Sequence, residues 1–185
     1  MNRIRLKDKT FELFIPEKEI HEAEARIAAQ IEKELGPADP LFVAILNGAF
    51  MFTAGLMREL NAQYEVTFAC YASYSGTESS GTLREIMPVR TPLRGRTVVL
   101  LEDIVDTGFT MRKVMDLYRR EGTADVRLAT LLFKPDAQRC GLEPDYTGIR
   151  IPNDFIVGYG MDYDGLGRAY RDIYKLAGQY DGPIL

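Results

Sequence analysis

The stretch Thr97–Thr110, "TVVLLEDIVDTGFT", sets five uncharged, mostly apolar residues directly against two adjacent carboxylates, Glu102 and Asp103. A third acid, Asp106, follows, and then Thr107, Gly108, Phe109 and Thr110. The apolar run reads as a buried strand, and two touching anions at its end need a cation or an open rim to receive them. The small polar residues that follow read as a loop leading into a helix, "TMRKVMDLYRREG", closed by Gly122. Backbone N–H groups at such a helix start can point at a phosphate. Gly108 lets the backbone come close, and the two Thr hydroxyls add donors. Glu102 and Asp103 suit the hydroxyls of a sugar or a hydrated Mg²⁺. Two other readings stand beside this one: solvated acids ending a strand, or the acidic strand of a phosphate-loop nucleotidase. The nucleotidase needs G-x-x-x-x-G-K-[ST], which the sequence lacks.

Working outward, "IPEKEIHEAEARIAAQIEKELG" predicts a first helix, started at Pro16 and stopped by Gly36-Pro37, with Ile20, Ile27, Ile31 and Leu35 at helical spacing. His21 falls on its polar side and reads as a solvated helix histidine. From Leu41 the pattern changes. "LFVAIL", "YEVTFACYASY", "TVVLLE", "DVRLATLLF" and "DFIVGYG" read as strands, with "NGAFMFTAGLMREL" as a helix after the first. Short apolar strands alternating with helices predict an α/β fold whose central parallel sheet is covered on both faces. Such sheets bind ligands beyond the carboxyl ends of their strands. That places Glu102-Asp103 at a rim, with the small, polar segment from Ser73 to Glu85 as a mobile loop beside it.

The 185 residues fit one domain over 1–185, with no repeat or linker to divide it. A net charge of -4 without a basic cluster argues against nucleic-acid and acidic-membrane partners. No apolar run spans a membrane and the N-terminus carries no apolar signal core, so a cytoplasmic location is expected. Cys70 and Cys140, far apart and accompanied by one His, predict neither a zinc site nor a disulfide.

The Thr97–Thr110 stretch resembles the phosphoribosyl-pyrophosphate motif of the type I phosphoribosyltransferases: apolar residues, two acids, then D-T-G-x-T. An Asp before Thr-Gly, here Asp106, is similar to the 6-oxopurine branch. "LNGAF" resembles the family's pyrophosphate-binding loop (Leu46, Asn47, Gly48), and Ser73-Tyr74 resembles the pair that opens the lid. Lys134 and "DFIVGYGMDYDGLGR" are similar to the purine and second-metal region of hypoxanthine-guanine phosphoribosyltransferases. The resemblance runs from about Leu41 to Arg168.

It implies a type I phosphoribosyltransferase fold, with a small hood built from the two terminal segments and a lid over about 73–85. The implied reaction moves the 5-phosphoribosyl group from phosphoribosyl pyrophosphate to hypoxanthine, and to guanine, in purine salvage. Asp106 would act as the base, with Glu102, Asp103 and Asp106 through Thr110 holding the phosphoribosyl group. Leu46, Asn47, Gly48 and Arg168 would hold pyrophosphate, and Lys134, Phe155, Ile156 and Asp162 the purine. Glu102, Asp103 and Asp162 would hold Mg²⁺, and the chain would be a homodimer or homotetramer. From the residues alone, Phe155 could equally be core, and Lys134 and Arg168 solvated surface charges. Three positions depart from the pattern: Asn47 stands where Lys is common, Ala72 precedes Ser-Tyr, and Phe109 replaces a polar residue. Xanthine-guanine preference, or a non-catalytic regulator of the same fold, are the competing functions.

Overall fold

In the computed structural model, which describes residues 2–60, 63–73 and 83–178, the chain opens with two strands, β1 (Arg3–Leu6) and β2 (Lys9–Ile15). Next come α1 (Glu17–Leu35), β3 (Leu41–Leu46), α2 (Phe50–Glu59), β4 (Val66–Ser73) and β5 (Leu83–Met87). Then follow β6 (Thr97–Val105), α3 (Phe109–Arg120), β7 (Asp125–Phe133), β8 (Tyr146–Arg150), β9 (Ile156–Val157) and β10 (Ile173–Leu176). Six strands form the main sheet in the order β5-β4-β3-β6-β7-β8. All its pairings are parallel except that of β4 with β5. The other four strands form an antiparallel sheet, β1-β2-β10-β9, drawn from both ends of the chain.

The run "LFVAIL" shows why such a strand needs no polar face. Phe42 and Ala44 pack toward α1 and α2, whereas Leu41, Val43 and Ile45 pack with Met111, Val114 and Tyr118 of α3. With both faces covered, alternate residues enter two separate cores, and every position has to be apolar. Helix α1 buries Ile20, Ala23, Ile27, Ala28, Ile31 and Leu35, the one-sided stripe of an amphipathic helix. A single acid, Glu24, lies in that stripe. The helix ends at Leu35, stopped by the Gly36-Pro37 pair, and a 3₁₀ turn, Gly36–Ala38, follows.

Three expectations change, and the β1–β2 hairpin precedes the first helix. "DFIVGYG" contributes only Ile156–Val157 as strand, and these pair with β10 in the second sheet rather than joining the parallel one. The strand carrying the paired acids continues to Val105, held by pairing of Ile104 with Leu132 and Val105 with Phe133, so Glu102 and Asp103 sit inside it rather than at its end. Within the segment read as a mobile loop, Leu83, Arg84 and Glu85 are strand, paired with Ser73, Ala72 and Tyr71. Tyr74 and most of that loop lie outside the described residues.

The order reverses at β3: β4 lies on one side of it and β6 on the other. The loops that leave β3 and β6 therefore open side by side, the usual place for a ligand crevice in such sheets. Among the described residues no helix is long and apolar enough to cross a membrane.

Candidate active site

A cleft of about 370 Å³ lies at this switch point, a size common for small-molecule sites. Its walls include Leu46 and Gly48 after β3, Glu102, Asp103, Asp106 and Thr110 from β6 and the following loop, and Lys134 after β7. Phe155, Ile156, Asp162 and Arg168 close it from the second sheet. Eleven of the residues singled out from the sequence thus converge, although they span more than a hundred positions of chain.

Gly108 caps α3 at φ 82, and no side chain caps that helix. Its first-turn N–H groups are therefore available to an anion. The loop carbonyls are drawn to the opposite side. Gln138 Nε2 donates to Asp106 O at 2.6 Å and the Arg139 N–H donates to Thr107 O at 3.1 Å. Gly108 O accepts from the Arg112 N–H at 2.9 Å, and Cys140 Sγ lies 3.6 Å from Thr107 O. A Cβ on Gly108 would press within 2.6 Å of Gln138 Oε1, so a side chain is excluded both by space and by the left-handed backbone. Thr107, Gly108 and Phe109 form this loop without lining the cleft, and Phe109 is exposed. No local pattern signals the bracing by Gln138 and Arg139, which follow a short 3₁₀ turn, Pro135–Ala137, of unremarkable composition.

The paired acids are more buried than a rim would leave them. Asp103 is 8% exposed, and Glu102 Oε2 is sealed from solvent with no hydrogen-bond partner. Burial, and then the neighbouring Asp103 charge, push the Glu102 carboxyl well above the usual carboxylate range. Burial likewise raises Asp103 to about 6, opposed by backbone N–H groups and the Arg168 guanidinium and reinforced by Asp162. An orphaned buried oxygen beside a second raised acid fits a site completed by a cation or by sugar hydroxyls. Among the described residues no group of three His, Cys, Asp or Glu side chains forms a cage. One or two carboxylates suffice for Mg²⁺, which keeps waters and takes substrate phosphate oxygens.

Backbone approaches are tight here. A Cβ on Gly48 would collide with the Asp103 carboxylate, so only glycine lets the loop after β3 lie against β6. The Leu46–Asn47 peptide in that loop is cis. Arg168 donates from Nη1 to Gly160 O and pairs through Nη2 with Asp162, both at 2.6 Å. Asp162 also accepts from the Gly165 N–H.

At the other end of the cleft, Lys134 is 6% exposed, not a solvated strand end. Its Nζ donates to Asp106 Oδ2 at 3.2 Å and to Asn153 Oδ1 at 3.5 Å. Phe155 is not core either. It is 47% exposed, with its ring set among Phe11 and Tyr163 at 6.1 and 5.9 Å. An exposed aromatic face beside a buried ammonium is a place for a flat heterocycle bearing an acceptor oxygen.

A helix start without a side-chain cap, two buried acids and an exposed aromatic shelf can together receive a phosphorylated sugar and a base. Comparison with known proteins agrees: the model of the phosphoribosyl transferase domain family matches residues 16–164, and the chain belongs to that family. It is 37% identical over 159 residues to a hypoxanthine-guanine phosphoribosyltransferase of Streptococcus pneumoniae, covering 85% of this chain and 88% of that one. A protein of the same name from Lactococcus lactis is 38% identical over 159 residues, covering 85% and 86%. A hypoxanthine phosphoribosyltransferase structure from Staphylococcus aureus superposes with a TM-score of 0.86 at 30% identity, covering 90% and 91%.

Proposed function

We propose that this chain is a purine salvage enzyme that transfers the 5-phosphoribosyl group from phosphoribosyl pyrophosphate to hypoxanthine, and to guanine, releasing pyrophosphate. The convergence of Asp106, Lys134 and Phe155 at one end of the cleft, with Glu102, Asp103, Asp162 and Arg168 at the other, carries this reading.

The 5′-phosphate sits on the amides from Thr107 to Thr110, with the hydroxyls of Thr107 and Thr110 as further donors. Glu102 and Asp103 accept from the ribose hydroxyls and face the bound cation. The purine lies against Phe155, a contact worth roughly 1–3 kcal/mol by analogy with base–aromatic stacking elsewhere. Lys134 uses two N–H groups on Asp106 and Asn153 and keeps a third for the 6-oxo oxygen. That choice favours hypoxanthine and guanine over adenine, whose 6-amino group has no lone pair to offer there.

In the reaction the bond from the anomeric carbon to pyrophosphate breaks as a purine ring nitrogen bonds to that carbon. The nitrogen's proton passes to the Asp106 carboxylate, help typically worth about 10²–10⁴ in rate. Arg168, always ionised, receives charge on the departing diphosphate together with amides of the Leu46–Gly48 loop. Glu102 and Asp103, and separately Asp162, would hold Mg²⁺, which would supply electrostatic neutralisation of the leaving group. Ser73 ends β4 two residues beyond Tyr71, which lines the cleft, so β4 brings the chain to the cleft's rim. Apolar side chains exposed on β4 and β5, among them Val66, Phe68 and Ile86, support a homodimer or homotetramer. A cytoplasmic location accords with the substrates.

Purified protein supplied with phosphoribosyl pyrophosphate, Mg²⁺ and one base at a time tests the proposal. Hypoxanthine and guanine are expected to give IMP and GMP, with adenine inactive. Turnover of adenine, or of xanthine above hypoxanthine, overturns the assignment of the base.

A further inference from the structure

Glu24 is 1% exposed in the middle of the apolar stripe of α1. Its carboxylate fills a notch that exists because residue 55 of α2 is glycine; a Cβ there would collide with it. Arg58 and Glu59 of α2 also face it, the first favouring its charge and the second opposing it. Its one strong partner is far away in sequence: Tyr159 OH donates to Glu24 Oε1 at 2.6 Å.

Tyr159 is the centre of an unusual turn. It holds φ 46, between Gly158 at φ 101 and Gly160 at φ 99, a backbone that a tyrosine adopts only when its surroundings fix it. Its N–H donates to Tyr170 O at 2.9 Å. The next residue touches two parts of the site. The Gly160 N–H donates to Arg168 O at 3.0 Å while Gly160 O accepts from the Arg168 guanidinium. A Cβ on Gly160 would collide with Gly48 O, so the turn lies directly on the loop after β3. Met161 and Asp162 then enter the cleft wall.

We propose that Glu24 is a positioning residue for the diphosphate end of the site, acting through Tyr159. The hydrogen bond pins the turn from below, and the turn sets Gly48, Asp162 and Arg168. Among the described residues neither Glu24 nor Tyr159 shares a hydrogen bond, ion pair or ring contact with Asp106, Lys134 or Phe155, so under this proposal the purine end is set independently. This rests on the proposed use of phosphoribosyl pyrophosphate, which wild-type turnover establishes first. Absence of wild-type turnover would sink that reading and not the strut.

Tyr159→Phe removes the hydroxyl alone and keeps the buried ring, so it is the decisive variant. Its KM for phosphoribosyl pyrophosphate should rise about tenfold, with the KM for hypoxanthine within about twofold of wild type. Glu24→Ala should repeat that split, and Glu24→Gln, whose amide oxygen still accepts from Tyr159, should restore wild-type KM within about twofold. An unchanged KM for phosphoribosyl pyrophosphate in Tyr159→Phe, in an active wild-type background, overturns the proposal. An equal rise in both KM values would do the same, since it would mark a general loosening of the fold.

Discussion

Asp106 occupies a position from which one carboxylate can serve two partners. Oδ2 accepts from Lys134, and the other oxygen is left for a proton on the purine ring. Asp106→Asn keeps shape and hydrogen bonding but cannot take that proton at neutral pH. The kcat should fall by roughly 10²–10⁴ while nucleotide affinity barely moves, because a general base acts in the transition state. Glu102→Gln and Asp103→Asn should instead raise the KM for phosphoribosyl pyrophosphate, since in the proposed function those acids hold ribose or cation in the ground state. Steady-state kinetics on the three variants separates the roles, and near-normal kcat in Asp106→Asn would remove Asp106 as the base. These residues were legible in the sequence because the motif packs two acids, Asp, Thr, Gly and Thr into one short run. Tyr159 and Glu24 were not, since a tyrosine between glycines and an acid in a helix have no local pattern that links them across 135 residues.

At the scale of elements, periodicity served where burial is two-sided or strictly one-sided. β3 is a continuous apolar run between two cores, β6 and β7 carry such runs at residues 98–101 and 131–133, and α1, α2 and α3 show helical stripes. It failed for β1, β8 and β10, whose four or five residues mix charge, Gly and aromatics and gain their strand form from pairing with neighbours. β5 escaped notice for a related reason. Its edge residues are exposed, so the hydrophobic pattern carries little information. The buried acid of α1 makes an element-level prediction about pH. Burial, opposed by the Tyr159 hydrogen bond, raises the Glu24 carboxyl from its ordinary value near 4.5 to about 7. The folded chain therefore holds this proton more tightly than the unfolded one. Stability from this group is full below pH 4.5 and lost as pH rises to about 7, a change on the order of 3 kcal/mol at most. Glu24→Gln removes the penalty while keeping the acceptor, so it should melt higher than wild type at pH 8 and equally at pH 5. Equal melting temperatures at pH 8 would show that Glu24 carries no burial cost.

For the whole molecule, the site is a junction of two sheets. The parallel sheet supplies the loops after β3, β6 and β7, and the antiparallel sheet brings Phe155, Ile156, Asp162 and Arg168 over them. The parallel sheet could be anticipated from strand and helix alternation, but the second sheet draws on strands from opposite ends of the chain, which no local pattern reveals. This division assigns sugar phosphate to the first sheet and base and diphosphate to the contact between the two. A crystal structure with bound IMP tests that assignment most directly. The 5′-phosphate is expected on the amides from Thr107 to Thr110, the ribose hydroxyls at Glu102 and Asp103, and hypoxanthine against Phe155 with its oxygen at Lys134 Nζ. A phosphate seated elsewhere, with the Asp106–Thr110 loop empty in the liganded crystal, would contradict it.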